Sequence, residues 1–432
     1  MDPVSTPGPA SSPTPQSPSP VPPQRPKVIV HVGEPKTGTT FLQQVMWRNR
    51  SELAAQGVVL PGHHPQDHYR ATQDLRGIEK RPDDPAASWT GEWEILAGQA
   101  RQAHRVAVIS HELFSAVDEE QADRAVRSLQ PAEVHIVITV RDIASLLPAE
   151  WQETVKHRNT REWEDWLGDV IDRESVDPDR RQWWFWRVHD TLEILRLWSR
   201  LLPPEQVHVL VIPPRGSSND VLWQRFASLL GVDPASVDLS RARPNSSLGL
   251  PEIAFLRELN EAMSEEVPDW FYMWNVKEAL AHRALAARPR STRLVLPTAR
   301  QDWARATAQA VAAGLSESGY EVIGDLDDLL PAPLTEEPAS PADQPAEAVL
   351  DVAVNAAAAL VLHQFRKAYP AARPQGGPRG GRGLVRRVES SVKSSERVKR
   401  TVRELSSRFP AVRKGRVLLW QAVERRRARE SH

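Results

Sequence analysis

Residues 28–42 read VIVHVGEPKTGTTFL, a β-branched run that breaks into a Gly/Pro/Thr loop and then into an apolar-spaced helix start. Strand, tight loop and helix in that order make a phosphate cradle. Gly33 and Gly38 let the backbone turn, and the amides of residues 37–40 stand where unpaired N–H groups and the helix dipole attract an anion. These glycines have the spacing of the nucleoside-triphosphatase loop GxxxxGK, but Thr39 holds the lysine position and the lysine stands inside the loop, at Lys36. Two further apolar runs end in chemistry-bearing residues: Ser110-His111-Glu112 after 106–109, and Arg141-Asp142 after 134–140. In an open α/β sheet, ligands gather at the carboxyl ends of the strands, so all three groups should face one crevice. His111 and Glu112 are candidate proton acceptors there, and the Arg141 guanidinium can pair with two phosphate oxygens at once.

The string Val-Gly-Glu-Pro-Lys-Thr-Gly-Thr-Thr-Phe-Leu resembles the 5′-phosphosulfate loop of the sulfotransferases that use 3′-phosphoadenosine 5′-phosphosulfate (PAPS). The resemblance implies that Lys36 contacts the bridging oxygen and stabilises charge on the departing phosphate. Pro35, Thr37, Gly38, Thr39 and Thr40 would complete the cradle. Strand, Arg-Asp and helix start resemble the second signature of the same family, which implies that Arg141 binds the 3′-phosphate. The family commonly places a serine about two helical turns further on. Ala149 stands there in this chain, so Ser145 or a later residue substitutes, or the phosphate is held more loosely. A late basic, Gly-containing loop folds over the nucleotide in the family. Residues 241–250 are similar in place and charge, without the Arg-Lys-Gly string, which makes Arg241 and Arg243 candidate contacts. Family members remove the acceptor's proton with a histidine or a glutamate, so either His111 or Glu112 would be the base. No metal is implied, because a sulfuryl group carries less charge than a phosphoryl group.

The elements that must position these residues alternate strand and helix, which predicts an α/β fold: a P-loop-like three-layer sandwich with a parallel sheet flanked by helices, and a helical C-terminal extension. The pattern divides the chain into a Pro/Ser-rich arm (1–26), a sulfotransferase-like domain (27–325), a linker (326–345), a helix (346–370), a flexible hinge (371–383) and a basic amphipathic tail (384–432). Helices are expected over 39–56, 89–102 and 143–158, and over the tryptophan-rich 161–202, whose rings should pack in a core. Strands are expected over 58–60 and 207–212. Residues 61–85 read as a long surface loop carrying solvated His63, His64 and His68. Glu153, Lys156, His157 and Arg158 share a polar helix face that could border an acceptor site.

The chain has 432 residues and no cysteine, which excludes a disulfide framework, a thiolate metal site and a cysteine nucleophile. Net charge is −1, yet residues 373–432 hold 18 Lys/Arg against 5 Asp/Glu, and the preceding body carries the compensating acidity. No uninterrupted apolar run of bilayer length is evident, and the first residues lack the pattern of a secretory signal. The expectation is a cytoplasmic enzyme whose tail either binds an acidic membrane surface or polyanion, or is merely solvated. Two other functions compete with sulfuryl transfer. A kinase would want lysine at position 39 and a clear Mg²⁺-holding carboxylate, and a scaffold with a decayed nucleotide site would act through the tail. The acceptor (carbohydrate, lipid or small metabolite) and the oligomeric state stay open.

Overall fold

The computed structural model describes residues 25–78, 89–172, 182–242, 247–263, 266–288, 292–334 and 336–368. Arg243, the hinge 371–383, the basic tail and all of the N-terminal arm except Arg25 and Pro26 lie outside these residues. The chain divides into two compact units, Met1–His363 and Gln364–His432. Of the second, only 364–368 are described.

The elements run β1 (Lys27–Gly33), α1 (Thr39–Arg48), α2 (Arg50–Ala55), β2 (Val58–Val59), α3 (Pro65–Leu75), α4 (Glu92–Arg101), β3 (Val106–Ser110), α5 (Glu119–Ser128), β4 (Glu133–Val140), α6 (Ile143–Lys156), α7 (Trp163–Ile171), α8 (Gln182–His189) and α9 (Thr191–Ser199). They continue with β5 (Val207–Val211), α10 (Asn219–Leu230), α11 (Leu250–Ala262), α12 (Asp269–Tyr272), a π-helix (Met273–Leu285), α13 (Gln301–Glu317), β6 (Glu321–Ile323) and α14 (Ala346–Ala368).

All six strands are parallel, in the order β2-β3-β1-β4-β5-β6. Burial on both faces is why these strands read as apolar runs. Val28, Val30 and Val32 of β1 pack with α3, α4, α5 and α9 on one face, while Ile29 packs with α1 and α10 on the other. The chain runs outward from β1 to β2 and β3, then crosses back to lay β4 on the other side of β1. The loops leaving β1 and β4 therefore diverge, and the crevice between them is the topological switch point where such sheets bind ligands. Register between β1 and β4 slips between His31 and Gly33, just where the phosphate-type loop begins. A second core forms beside the sheet from α6, α7, α8, α11, the π-helix, α13 and α14. Trp163, Trp166 and Trp198 are buried, in keeping with packing roles.

The fold corrects several sequence expectations. The helix expected over 39–56 breaks at Asn49, whose side-chain amide donates to the carbonyls of Val45 (2.9 Å) and Asp238 (3.2 Å) and so competes with the helical ladder. The stretch 61–85 is not all loop: α3 starts at Pro65, capped by His64 and Asp67. His68 is not solvated but fully buried, with Nδ1 accepting from the Ser110 amide (3.1 Å) and Nε2 donating to the Pro61 carbonyl (2.9 Å). Strand β6 has only three residues and carried no pattern long enough to see. Residues Ala346–Lys367 are, by length and composition, long and apolar enough to cross a bilayer, although interspersed polar residues hid this from a search for an uninterrupted run. In the first unit, Val352 and Ala356 of that helix pack into the second core.

Candidate anion-binding site at the ends of β1, β3 and β4

Gly33 has φ +109°, and a Cβ there would fall 2.8 Å from the Glu112 carbonyl oxygen. Only glycine lets β1 end against the turn that follows β3. The loop is then fixed from beneath. The Glu34 amide donates to the Thr139 carbonyl (3.0 Å), and the Thr139 hydroxyl donates to the Gly33 carbonyl (3.0 Å) and touches the Thr37 hydroxyl (2.5 Å). His31 lies below with Nδ1 on the Ser110 hydroxyl (2.8 Å), and burial lowers it to about 4, so this imidazole is neutral. Gly38 is the N-cap of α1, in the left-handed region at φ +82°, and offers no side-chain cap. The first-turn amides around Thr39 and Thr40 therefore receive no side-chain cap from residue 38, the condition under which a helix start can accept an anion.

Two cations belong to this loop, Lys36 within it and Arg141 bonded to it from the end of β4. Lys36 has φ +61°, and its Nζ donates to Glu153 of α6 at 2.7 Å rather than to a group of its own loop. Burial alone would lower its pKa, but Glu153, then Glu150 and Glu112, raise it, so the ammonium is firmly charged. Arg141, at the end of β4, donates from Nη1 to the Lys36 carbonyl at 3.2 Å. Burial and the charge of the neighbouring Arg215 lower its pKa, with Asp142 opposing. Asp142 also caps α6, accepting from the Ser145 amide at 2.7 Å, which sets Ser145 in the first turn beyond the arginine.

The β3 end joins the same site. Glu112 accepts from Gln43 of α1 at 3.1 Å, and its carboxyl lies below the usual range. Burial pushes the other way, but His111, Gln43 and Lys36 outweigh it. His111 caps the short turn Glu112–Ala116, its Nδ1 accepting from the Leu113 amide at 3.1 Å, so a proton-accepting role would fall to Nε2. Burial lowers its pKa, with Glu112 opposing.

Arg241 is elsewhere. Its guanidinium donates to the Arg48 carbonyl (3.0 Å) at the far end of α1 and to Glu52 of α2 (3.1 Å), about 15 Å of helix from the loop. Arg243 lies outside the described residues.

Two groups at the site escaped the sequence reading. The first is a buried string in which the Glu34 carboxylate accepts from the Thr191 hydroxyl (2.5 Å) and from His189 Nδ1 (3.4 Å), while His189 Nε2 faces Glu150 of α6 at 3.6 Å. Burial would lower the pKa of His189, but Glu150 and Glu34 carry it up to about 9. The imidazolium ties the loop to α6. A carboxylate inside a phosphate-type loop was the one available signal, since a buried Glu34 requires a cation. The second is Lys277 of the π-helix, which meets Glu153 at 2.6 Å; Glu153 also meets Lys36, and it stands 3.2 Å from His157 on the α6 face that the sequence marks as a candidate acceptor border. Lys277 lies over 100 residues further along and carried no motif. Among the described residues, no group of three or more His, Asp or Glu could hold a metal ion.

No family model matches the chain, and no curated protein matches it. Among solved structures, the chain is similar to the crystal structure of a sulfotransferase from Alicyclobacillus acidocaldarius, at 19% identity over 61% of this chain and 98% of that one, with a TM-score of 0.34.

Proposed function

We propose that this chain transfers a sulfuryl group from PAPS to an acceptor hydroxyl or amine. The observation that carries the reading is the bond from Arg141 to the Lys36 carbonyl, which puts a guanidinium and an uncapped, glycine-turned helix start on one loop. A nucleotide with phosphates at both ends needs that pairing of sites. The amides near Thr39 and Thr40 would hold the 5′-phosphate, and Arg141, with Arg215 close by, the 3′-phosphate.

PAPS, when bound, supplies the sulfuryl group and a phosphate leaving group. Lys36 would exchange its bond to Glu153 for the leaving oxygen, where its charge offsets the negative charge that develops as the S–O bond breaks. Glu112 or His111 Nε2 would take the proton of the acceptor as its oxygen or nitrogen bonds to sulfur. The buried contacts of Glu34, Thr37 and Thr139 keep the loop in place so that attack proceeds in line.

Calorimetric titration with 3′-phosphoadenosine 5′-phosphate (PAP) tests the reading directly, followed by incubation of radiolabelled PAPS with a panel of acceptors. PAP should bind far more tightly than ATP with Mg²⁺, and labelled product should disappear in Lys36→Ala. Tighter binding of ATP with Mg²⁺ would favour a kinase and overturn the proposal.

A further inference from the structure

Three ammonium groups converge on one carboxylate at the C-terminal end of α6. Glu153 accepts from Lys36 (2.7 Å) and Lys277 (2.6 Å), and Lys156 approaches the same oxygen as Lys36 at 3.7 Å. Lys277 also donates to His157 Nε2 at 2.5 Å. Lys156 and Lys277 are buried. Buried cations call for partners, and one carboxylate cannot neutralise three of them. Of the neighbouring acids, Glu150 and Glu112 act on Lys36, Glu150 also facing His189, and Glu278 pairs with His282 at 3.3 Å, which leaves Glu153 as the carboxylate in contact with Lys156 and Lys277 among the described residues. Burial lowers Lys156 to about 8 despite Glu153, with Lys36 and Lys277 pushing the same way.

We infer that the acceptor carries an anionic group of its own, held by Lys156 and Lys277 beside the point of sulfuryl transfer. This deepens the proposed function and rests on it. Position assigns the cluster to the acceptor. Arg141 stands just before α6, whereas Glu153 and Lys156 stand about 15 Å and more along it, so a nucleotide bound between Arg141 and the β1 loop leaves this end of the helix to the second substrate. Lys36 belongs to both regions. It shares one Glu153 oxygen with Lys156, so the two ammonium groups are no further apart than those two bonds laid end to end. An acceptor whose hydroxyl meets the transferred group can therefore rest a carboxylate on Lys156 and Lys277. Lysines suit this role because they act as point charges that tolerate several anion geometries.

The test is calorimetric titration of the full chain, alone and saturated with PAP, with para-nitrophenyl β-D-glucuronide and para-nitrophenyl β-D-glucoside, which differ by a carboxylate in place of a hydroxymethyl group. The glucuronide should bind at least about tenfold more tightly. That preference should vanish in Lys277→Met and Lys156→Met and persist in Lys277→Arg, with melting curves showing each variant folded. Equal affinity for the two glycosides, or no binding of either, overturns the inference. So does inorganic sulfate competing as well as the glucuronide, which would mark a site for small free anions only. A chain that prefers the glucuronide but binds no PAP would sink the sulfuryl-transfer reading and leave the anion site standing.

Discussion

The guanidinium of Arg141 donates to the backbone carbonyl of Lys36 at 3.2 Å and so links the end of β4 to the loop after β1. One of its five N–H groups holds the loop and Nε stands 3.9 Å from Asp142, which leaves further N–H groups to meet a ligand. Replacing Arg141 by alanine removes both functions. A charge-assisted hydrogen bond to phosphate contributes about 1.5–3 kcal/mol, so Arg141→Ala should weaken PAP binding roughly 10- to 100-fold in a calorimetric titration. Arg141→Lys should recover only part of this, because an ammonium cannot reproduce the planar fork. Unchanged PAP affinity in the alanine variant would remove the 3′-phosphate assignment.

Lys36 should divide binding from catalysis. Its amine rests on Glu153 rather than on a group of its own loop. If the ammonium acts on the leaving phosphate, Lys36→Met lowers kcat by about 100-fold or more while PAP affinity falls much less. Single-turnover measurements with labelled PAPS separate these effects. A loss confined to nucleotide affinity would make Lys36 a binding residue only.

Gly33 carries a prediction about stability alone. Any Cβ there meets the Glu112 carbonyl, which is backbone and cannot swing aside, and φ +109° is itself strained for an L side chain. Gly33→Ala should cost about 2 kcal/mol or more, read as a lower denaturation midpoint. Gly77, with positive φ but open space around it, should suffer less from the same substitution.

Much of this site was legible in the sequence because its parts are local. The β-branched run 28–32, the glycines at 33 and 38 and the position of Lys36 required no knowledge of distant residues. The strand-end positions of His111, Glu112 and Arg141 followed from reading apolar runs as parallel strands, and the order β3-β1-β4 sets all three at the sheet edge where the β1 loop begins. What escaped was contact made by folding. Lys277 joins Glu153 across 124 residues, and His189 joins Glu34 across 155, with no periodic or spacing signal for either. Arg241 shows the converse, since the resemblance of residues 241–250 to a family loop implied a nucleotide contact while its guanidinium is tied to the end of α1. His68 misled because a histidine among His, Pro and Asp residues reads as solvated, and only the fold reveals Ser110 and Pro61 waiting for its two nitrogens.

The buried His189 makes the loop sensitive to alkali. Its pKa is raised to about 9 from an ordinary value of 6.5, so it is protonated in the folded chain over a range where the unfolded chain has lost the proton. Its stabilising contribution is complete below pH 6.5 and is lost as pH rises through about 9, in total on the order of 3 kcal/mol. His31 and His68, lowered to about 4, act in the opposite sense, losing their contribution as pH falls from 6.5 toward 4. The two effects occupy separate windows. Denaturation midpoints measured between about pH 6 and 10 should therefore decline in the native chain and stay flatter in His189→Gln, which keeps a hydrogen-bonding side chain but no titrating proton. Because Glu34 sits between Gly33 and Lys36, nucleotide affinity should weaken over the same alkaline range in the native chain. Parallel pH profiles for the two proteins would show that the Glu34–His189–Glu150 string is not what ties the loop to α6.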